Sequence, residues 1–346
     1  EQVQALFAKT IPVGIQHGTV VVRYQHRSYE VTTFRKEAEY KDYRRPSSVS
    51  FVASLEEDLK RRDFTMNAIA MTEEGKIIDP FDGEKDLKNR LIRTVGRAEE
   101  RFREDPLRMM RAVRFASQLS FSIENKTMQA LNQLADYLQH ISVERITAEF
   151  EKLLLSHHTS RGFTILVDSG LYAYVPGMAG YEQHLRRLAE VDFSRLEHLS
   201  ECWALIGLFL HIKELPLWLR RWKLSNRKIN EITHIVKTVN VVEQKGWTPW
   251  YVYQAGQETA LSADRVLSLL TGKEAKSDQI KKIYTDLPIK DRSELAVRGN
   301  DLLEWFQKNP GPWLSEIIRT IEKAVVGGEV KNVREAIKSW LEKQKL

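Results

Sequence analysis

Arg61-Arg62-Asp63-Phe64-Thr65-Met66-Asn67-Ala68 and, further on, Glu104-Asp105-Pro106-Leu107-Arg108 mark where the pattern of this chain changes. Around the first block the sequence reads as mixed α/β. Val3–Lys9 suits a short helix. Thr19–Tyr24 and Tyr29–Phe34 are β-branched and aromatic runs separated by Gln25–Ser28, a hairpin signal. Asn67–Met71 and Lys76–Asp79 suggest a second pair about the turn at Glu73-Glu74-Gly75-Lys76. From about residue 97 the strand signals stop. Pro106–Leu119, Ile141–Leu155, His198–Ile212 and Trp313–Gly327 carry apolar residues at helical spacing. Pro176-Gly177, Gly246–Pro249 and Asn309-Pro310-Gly311-Pro312 punctuate that region. The expected fold is a small α+β head followed by all-α segments. Tyr40–Ser50, with Arg44-Arg45-Pro46, reads as a mobile loop.

With 346 residues, more than one domain is expected. The 42% hydrophobic and 29% charged content is that of a soluble globular protein. No apolar run approaches the roughly 18 residues of a membrane span. One cysteine, Cys202, cannot close an internal disulfide, which fits a reducing, cytoplasmic setting. A net charge of +6 suits a polyanionic partner, although 47 acidic residues are mixed among 53 basic ones.

Asp105 followed by Pro106 is a good helix start, an Asp cap with Pro at the first helical position. Arg108, Arg111 and Arg114 then fall within an arc of roughly 120° at helical pitch, with Met109, Ala112, Val113 and Ala116 largely opposite. Such a face is either a solvated basic surface or a site for a triphosphate and its base. Arg61–Ala68 likewise reads either as a helix end with both arginines in solvent or as part of a pocket. Donor and acceptor chemistry sharpens the pocket reading. Cytosine and adenine both present an amino donor beside a ring acceptor. A carboxylate accepts and a guanidinium donates. An Asp–Arg pair therefore matches C and A, whereas U and G present an acceptor next to an N–H.

These blocks resemble the RRDFTxNA and EDxxR motifs of class II tRNA nucleotidyltransferases, the CCA-adding enzymes, and the resemblance runs over essentially the whole chain. It implies a polymerase-β-like head over residues 1–90 and a helical neck over 91–156. A body over 157–250 and a tRNA-binding tail over 251–346 complete the expected plan. It implies that Asp105 and Arg108 select CTP and ATP without a nucleic-acid template, with Arg111 and Arg114 in the same nucleotide site. Arg62 would contact the triphosphate, Asp63 the ribose 2′-hydroxyl, and Asn67 would brace the site. Glu104 would support the reading pair, as would Glu144 and Arg145 of Glu144–Leu153, which resembles the family's ERxxxEFxK helix. Asp79-Pro80-Phe81-Asp82-Gly83 fits a DxxxG element thought to permit head–neck movement. Arg44-Arg45-Pro46 sits at the family's flexible loop, and Glu294–Leu302 resembles a tail element that embraces tRNA.

Nucleotidyl transfer needs Mg²⁺ held by carboxylates. In the family these come from an Asp-x-Asp pair behind a GGxVRD turn, and neither motif occurs here. The resemblance implies that both precede Glu1, within roughly the first fifty residues of the family's head. Glu30 matches a further family carboxylate near the metals, a catalytic candidate but alone a poor Mg²⁺ site. Other chemistry is weaker. Adjacent His157-His158 point to different helix faces, and Gly272-Lys273 lacks the upstream glycine of a phosphate loop. The eight tryptophans read as helix-packing anchors. The partners implied are tRNA, CTP and ATP. An A-adding enzyme, a poly(A) polymerase of the same family and a tRNA-binding module without catalysis stand as alternatives.

Overall fold

The computed structural model describes residues 2–12, 18–37, 49–51 and 53–344. The chain forms two compact units, 1–191 with 221–223, and 192–220 with 224–346.

The first unit opens with α1 (Gln2–Leu6) and an antiparallel sheet ordered β1 (Thr10–Pro12), β2 (Thr19–Tyr24), β3 (Arg27–Thr32). The β2–β3 turn is tighter than the sequence pattern suggests. Gln25 and His26 both take left-handed φ, at 46° and 63°, so Tyr24 pairs directly with Arg27. Two-residue turns of that hand match the strand twist, which is why the second strand starts early. β4 (Arg35–Glu37) pairs with β5 (Val49–Phe51), so a strand forms at the end of the expected loop, most of which lies outside the described residues.

Ser54 caps α2 (Leu55–Lys60), accepting from the Glu57 N–H at 3.4 Å. Asn67 belongs to a 3-10 turn over Thr65–Asn67 and not to a strand, because the Asn67 and Ala68 N–H groups bond carbonyls three residues back. The second hairpin is thereby reduced to β6 (Ala70–Met71) with β7 (Ile77–Ile78). α3 (Gly83–Lys88) follows, its first N–H groups received by Asp79 (Gly83 and Glu84, 2.8 Å each). β8 (Leu91–Ile92) pairs in parallel with β9 (Ser122–Ile123), a strand beyond residue 97 too short to show alternation in sequence.

α4 (Ala98–Glu104) and α5 (Leu107–Leu119) meet at Asp105-Pro106, with Pro106 at φ −57°. α6 (Asn125–Gln133), α7 (Val143–Leu154), α8 (Thr159–Asp168) and α9 (Glu182–Leu188) complete the unit. The expected amphipathicity of α5 holds on its apolar side, where Met109, Ala112, Val113 and Ala116 are fully buried.

The second unit is helical among its described residues: α10 (Leu199–Phe209), α11 (Leu215–Arg221, its last residue counted with the first unit), α12 (Asn226–Lys245), α13 (Pro249–Ala255), α14 (Gln257–Thr271), α15 (Ser277–Asp286), α16 (Gly299–Phe306), α17 (Trp313–Val326) and α18 (Arg334–Lys343). Trp203, Trp218 and Trp222 are buried, and Trp247, Trp250, Trp305, Trp313 and Trp340 pack on the core of the last helices, as anchors would. Two buried carboxylates tie this unit. Glu201 accepts from Arg265 (Nη2, 2.6 Å) and Ser262 (2.7 Å), and Glu322 from Arg292 (Nε and Nη2, 2.9 Å each) and Tyr253 (2.8 Å). No helix among the described residues is long and apolar enough to cross a membrane.

Candidate nucleotide site

The 3-10 turn places Asp63 and Asn67 side by side. Phe64, fully buried, sets the turn in the core, edge-on to Phe115 with ring centroids 5.8 Å apart. Backbone bonds from Thr65 N to the Arg93 carbonyl (2.9 Å) and from Val95 N to the Asp63 carbonyl (3.1 Å) fix it to the neighbouring segment. Asp63 is 8% exposed and accepts at both carboxylate oxygens. Its Oδ1 accepts from the Phe64 N–H (2.9 Å) and Asn67 Nδ2 (3.0 Å), and its Oδ2 from Arg111 Nε (2.7 Å). Burial alone would push this carboxyl up. The Arg111 guanidinium and the Asn67 and Phe64 donors outweigh it and hold the carboxyl below its usual range. Asn67 therefore braces Asp63. Its carbonyl also accepts from Arg62 Nη1 (3.0 Å), whose side chain keeps 43% of its surface open.

Asp58 steadies both arginines from behind, accepting from Arg61 Nη2 at 2.8 Å and Arg62 Nη2 at 3.5 Å. Burial raises the Asp58 carboxyl and the bonds to Arg61 and the Arg35 N–H more than reverse it, so it too lies below the usual range.

At the head of α5, Asp105 performs the capping its sequence suggests, Oδ1 accepting the Leu107 N–H at 3.1 Å. Its Oδ2 accepts from Arg145 Nη2 at 2.8 Å, while Arg145 Nη1 is buried with no hydrogen-bond partner among the described residues. Arg108 is buried at 7% exposure, with Nη1 on Glu104 Oε2 (2.8 Å) and Nη2 on the Arg61 carbonyl (2.9 Å). Glu104 also receives Arg101. The Arg61 carbonyl lies at the end of α2, where helical carbonyls lack intrahelical partners, so Arg108 ties that end to the start of α5.

The three arginines of α5 are not the common open face that helical pitch suggests. Each reaches a different carboxylate: Arg108 to Glu104, Arg111 to Asp63, and Arg114 to Glu149. Arg114 also donates to Gln118 (2.7 Å) and lies 3.8 Å over the Phe115 ring. Burying a guanidinium requires such a partner, which rules out a solvated face for Arg108 and Arg114. Arg111 retains 33% of its side-chain surface.

Glu144 is exposed, and the carboxylate of α7 that meets α5 is Glu149, 5% exposed. It has a sequence signal. Ile146, Glu149, Phe150 and Leu153 share one stripe of α7, and a charge inside an apolar stripe implies a buried partner. Asp58, beside Leu55 and Leu59 on α2, carries the same signal.

Glu30 lies exposed on β3 opposite Val21. Among the described residues no three His, Cys, Asp or Glu side chains group to hold a metal ion. The residues described do not fit a Mg²⁺ site.

Residues 1–93 match the Poly A polymerase head domain, 120–181 the probable RNA and SrmB-binding site of polymerase A, and 194–341 tRNA nucleotidyltransferase domain 2. The fold and these matches define a nucleotidyltransferase. The CCA-adding enzyme of Geobacillus stearothermophilus is 49% identical over 344 residues, covering 99% of this chain and 85% of that protein. That of Geobacillus thermodenitrificans is 50% identical with the same coverage. The crystal structure of the Bacillus stearothermophilus CCA-adding enzyme in complex with CTP superposes with a TM-score of 0.94 at 47% identity, covering 99% of this chain and 85% of that one. The Thermotoga maritima CCA-adding enzyme complexed with tRNA, 21% identical, shares the fold at a TM-score of 0.60. This chain belongs to the CCA-adding enzyme family.

Proposed function

We propose that this chain selects CTP and ATP for addition of C, C and A to tRNA 3′ ends, with Asp105 and Arg108 reading the incoming base. The observation that carries this reading is the support given to that pair at the start of α5. Asp105 is oriented by Arg145 at 2.8 Å and Arg108 by Glu104 at 2.8 Å. A fixed carboxylate accepts the amino group of C or A, and a fixed guanidinium donates to the adjacent ring nitrogen. UTP and GTP would set an acceptor against the carboxylate and leave buried groups unpaired, the larger penalty. Asp63 receives the ribose 2′-hydroxyl, Arg62 and Arg111 meet the phosphates with their open guanidinium surface, and Arg114, held by Glu149, keeps α5 in place. To engage a base, Arg108 must exchange at least one protein acceptor for a base nitrogen, coupling base reading to the end of α2.

Transfer by this family calls for Mg²⁺, which would be the cofactor here, with Glu30 as one ligand at most. The residues 251–346 would grip tRNA, mainly by shape and phosphate contacts. Working on tRNA, the protein would act in the cytoplasm. The test is incorporation by the 346-residue chain into tRNA ending before CCA, with Mg²⁺ and CTP, ATP or both. Two C additions with CTP, and a completed CCA with both, would uphold this reading and call for metal carboxylates beyond those described. Incorporation of A alone would replace this reading with the A-adding one. Bound tRNA without incorporation would leave a tRNA-binding module.

A further inference from the structure

Behind the Asp63 turn lies a second polar chain, buried at Thr65 and Asp86, with no place in the site described so far. Thr65, 2% exposed, donates its hydroxyl to Asp86 Oδ2 at 2.7 Å. Asp86, also 2% exposed, accepts in addition from Arg93 Nε at 3.0 Å. Arg93 reaches on to Glu124 at 3.5 Å, and Glu124 caps α6 through the Thr127 N–H at 2.8 Å and hydroxyl at 3.0 Å. The chain thus runs from the N-terminus of α6, through the segment after β8 and the buried side of α3, to the first residue of the 3-10 turn. That turn ends at Asn67, which holds both Asp63, through its amide, and Arg62, through its carbonyl.

The packing around this chain leaves it little room. A Cβ on Gly83, at the start of α3, would lie 2.3 Å from the Thr65 carbonyl oxygen, so glycine lets α3 dock directly on the turn. The expected hinge at Asp79–Gly83 is therefore seated against the nucleotide-site turn, and Asp86 is fixed one helical turn further along α3.

We propose that Asp86 and Thr65 are positioning residues for nucleotide binding: their hydrogen bond sets the turn that aims Asp63 at the ribose and Arg62 at the phosphates. A buried hydroxyl–carboxylate bond suits this task because neither partner has water to exchange with. Moving Thr65 displaces Asn67, and with it the acceptor geometry of Asp63, without touching any group that meets the nucleotide. The inference rests on the reading of Asp63 as the ribose contact.

Equilibrium binding of CTP and dCTP to the full chain tests it, since the ratio of the two affinities reports the 2′-hydroxyl contact and not folding. Thr65→Val keeps the shape and removes the hydroxyl; it is expected to lower the CTP:dCTP ratio by about fivefold, the factor one hydrogen bond represents. Asp86→Asn should move the ratio in the same direction, and Thr65→Ser should restore it to wild type. If Thr65→Val does not fold, Asp86→Asn and Thr65→Ser carry the comparison. A wild-type ratio in Thr65→Val and Asp86→Asn, with the ratio lost in Asp63→Asn, overturns the proposal. If Asp63→Asn also keeps the ratio, the ribose reading is what fails. The positioning role then stands on CTP affinity: a drop in Thr65→Val that Thr65→Ser recovers upholds it, and unchanged affinity overturns it.

Discussion

Both units of this protein bury carboxylates against arginines, yet they do so differently. In the second unit Glu201 is closed on by Arg265 and Ser262, and Glu322 by Arg292 and Tyr253. Each is a separate knot joining distant parts of a helical fold. In the first unit three arginines spaced three apart on one helix, α5, reach three elements: the end of α4, the Asp63 turn and α7. The buried ion pair is common to both and marks no function by itself. What distinguishes the first unit is that these three pairs share a helix and border side chains that remain partly open, Arg62 and Arg111.

The comparison breaks most forcefully where one partner of a buried pair is removed. Glu201→Ala should cost about 3 kcal/mol, because Arg265, its side chain 14% exposed, would keep only the exposed Glu197 at 3.3 Å as an ion-pair partner among the described residues. A shift of the urea unfolding curve measures it, and CTP binding by the folded fraction should be unchanged. Arg114→Ala should cost a similar amount and also weaken CTP binding, since α5 carries the reading pair. Equal nucleotide binding in the two variants would erase the distinction drawn between the units.

A smaller effect, but one confined to the first unit, is expected at the reading pair. Asp105→Ala and Arg108→Ala should each reduce the preference for CTP over UTP by about 5- to 150-fold, taking about 1–3 kcal/mol for a well-placed base contact. Competition binding with the four nucleoside triphosphates reads this directly. Retained wild-type preference in both variants would end the protein-template reading.

How much of this was legible in the sequence depends on whether a residue's partner is local. The helices with strong apolar spacing, such as α5, α7 and α17, lie within a residue or two of where periodicity places them. Asp105 caps as its position before Pro106 dictates. The Arg61–Ala68 block stands out in sequence, but the turn within it does not. Thr65–Asn67 is bent by bonds to Asp86 and Asp63 that no propensity encodes. The arginine face of α5 was legible in pitch and misread in consequence, because Asp63 and Glu149, which take Arg111 and Arg114, lie far away along the chain. Glu144 looked like the supporting carboxylate, whereas Glu149 sits in the apolar stripe and does the pairing.

Packing against the turn offers a third, narrower probe. Gly83→Ala would place a methyl 2.3 Å from the Thr65 carbonyl oxygen, so α3 or the turn must give way. Overpacking of this kind costs about 1–3 kcal/mol. Because the displaced element holds Asn67, CTP affinity should fall with stability, whereas Gly207→Ala, which in the second unit meets only the flexible end of Leu215 at 2.7 Å, should leave CTP affinity alone. Loss of stability in Gly83→Ala with full CTP affinity would separate α3 from the nucleotide site.

Acid is the mildest probe, and its sign differs among the buried carboxyls. Asp63 and Glu201 are both lowered in the folded state, burial being outweighed by their arginines and neighbouring donors. Their stabilisation is fully present above the ordinary carboxylate range, about 4, and is lost as pH falls through the lower folded values. Asp264 is the counterexample within the second unit. It accepts from Trp247 (3.2 Å) and the Lys276 N–H (2.6 Å), but burial dominates and its carboxyl is raised. Its folded form gains relative to the unfolded one as pH falls through the raised value. Stability differences between wild type and Asp63→Asn, or wild type and Glu201→Gln, should therefore hold steady from pH 7 to pH 5 and close only below about 4. The difference from Asp264→Asn should instead shift in favour of wild type on acidification. If all three closed together, the balance of burial against arginine pairing argued for Asp63 and Glu201 would not hold. Both units would then answer acid as ordinary surface carboxylates do.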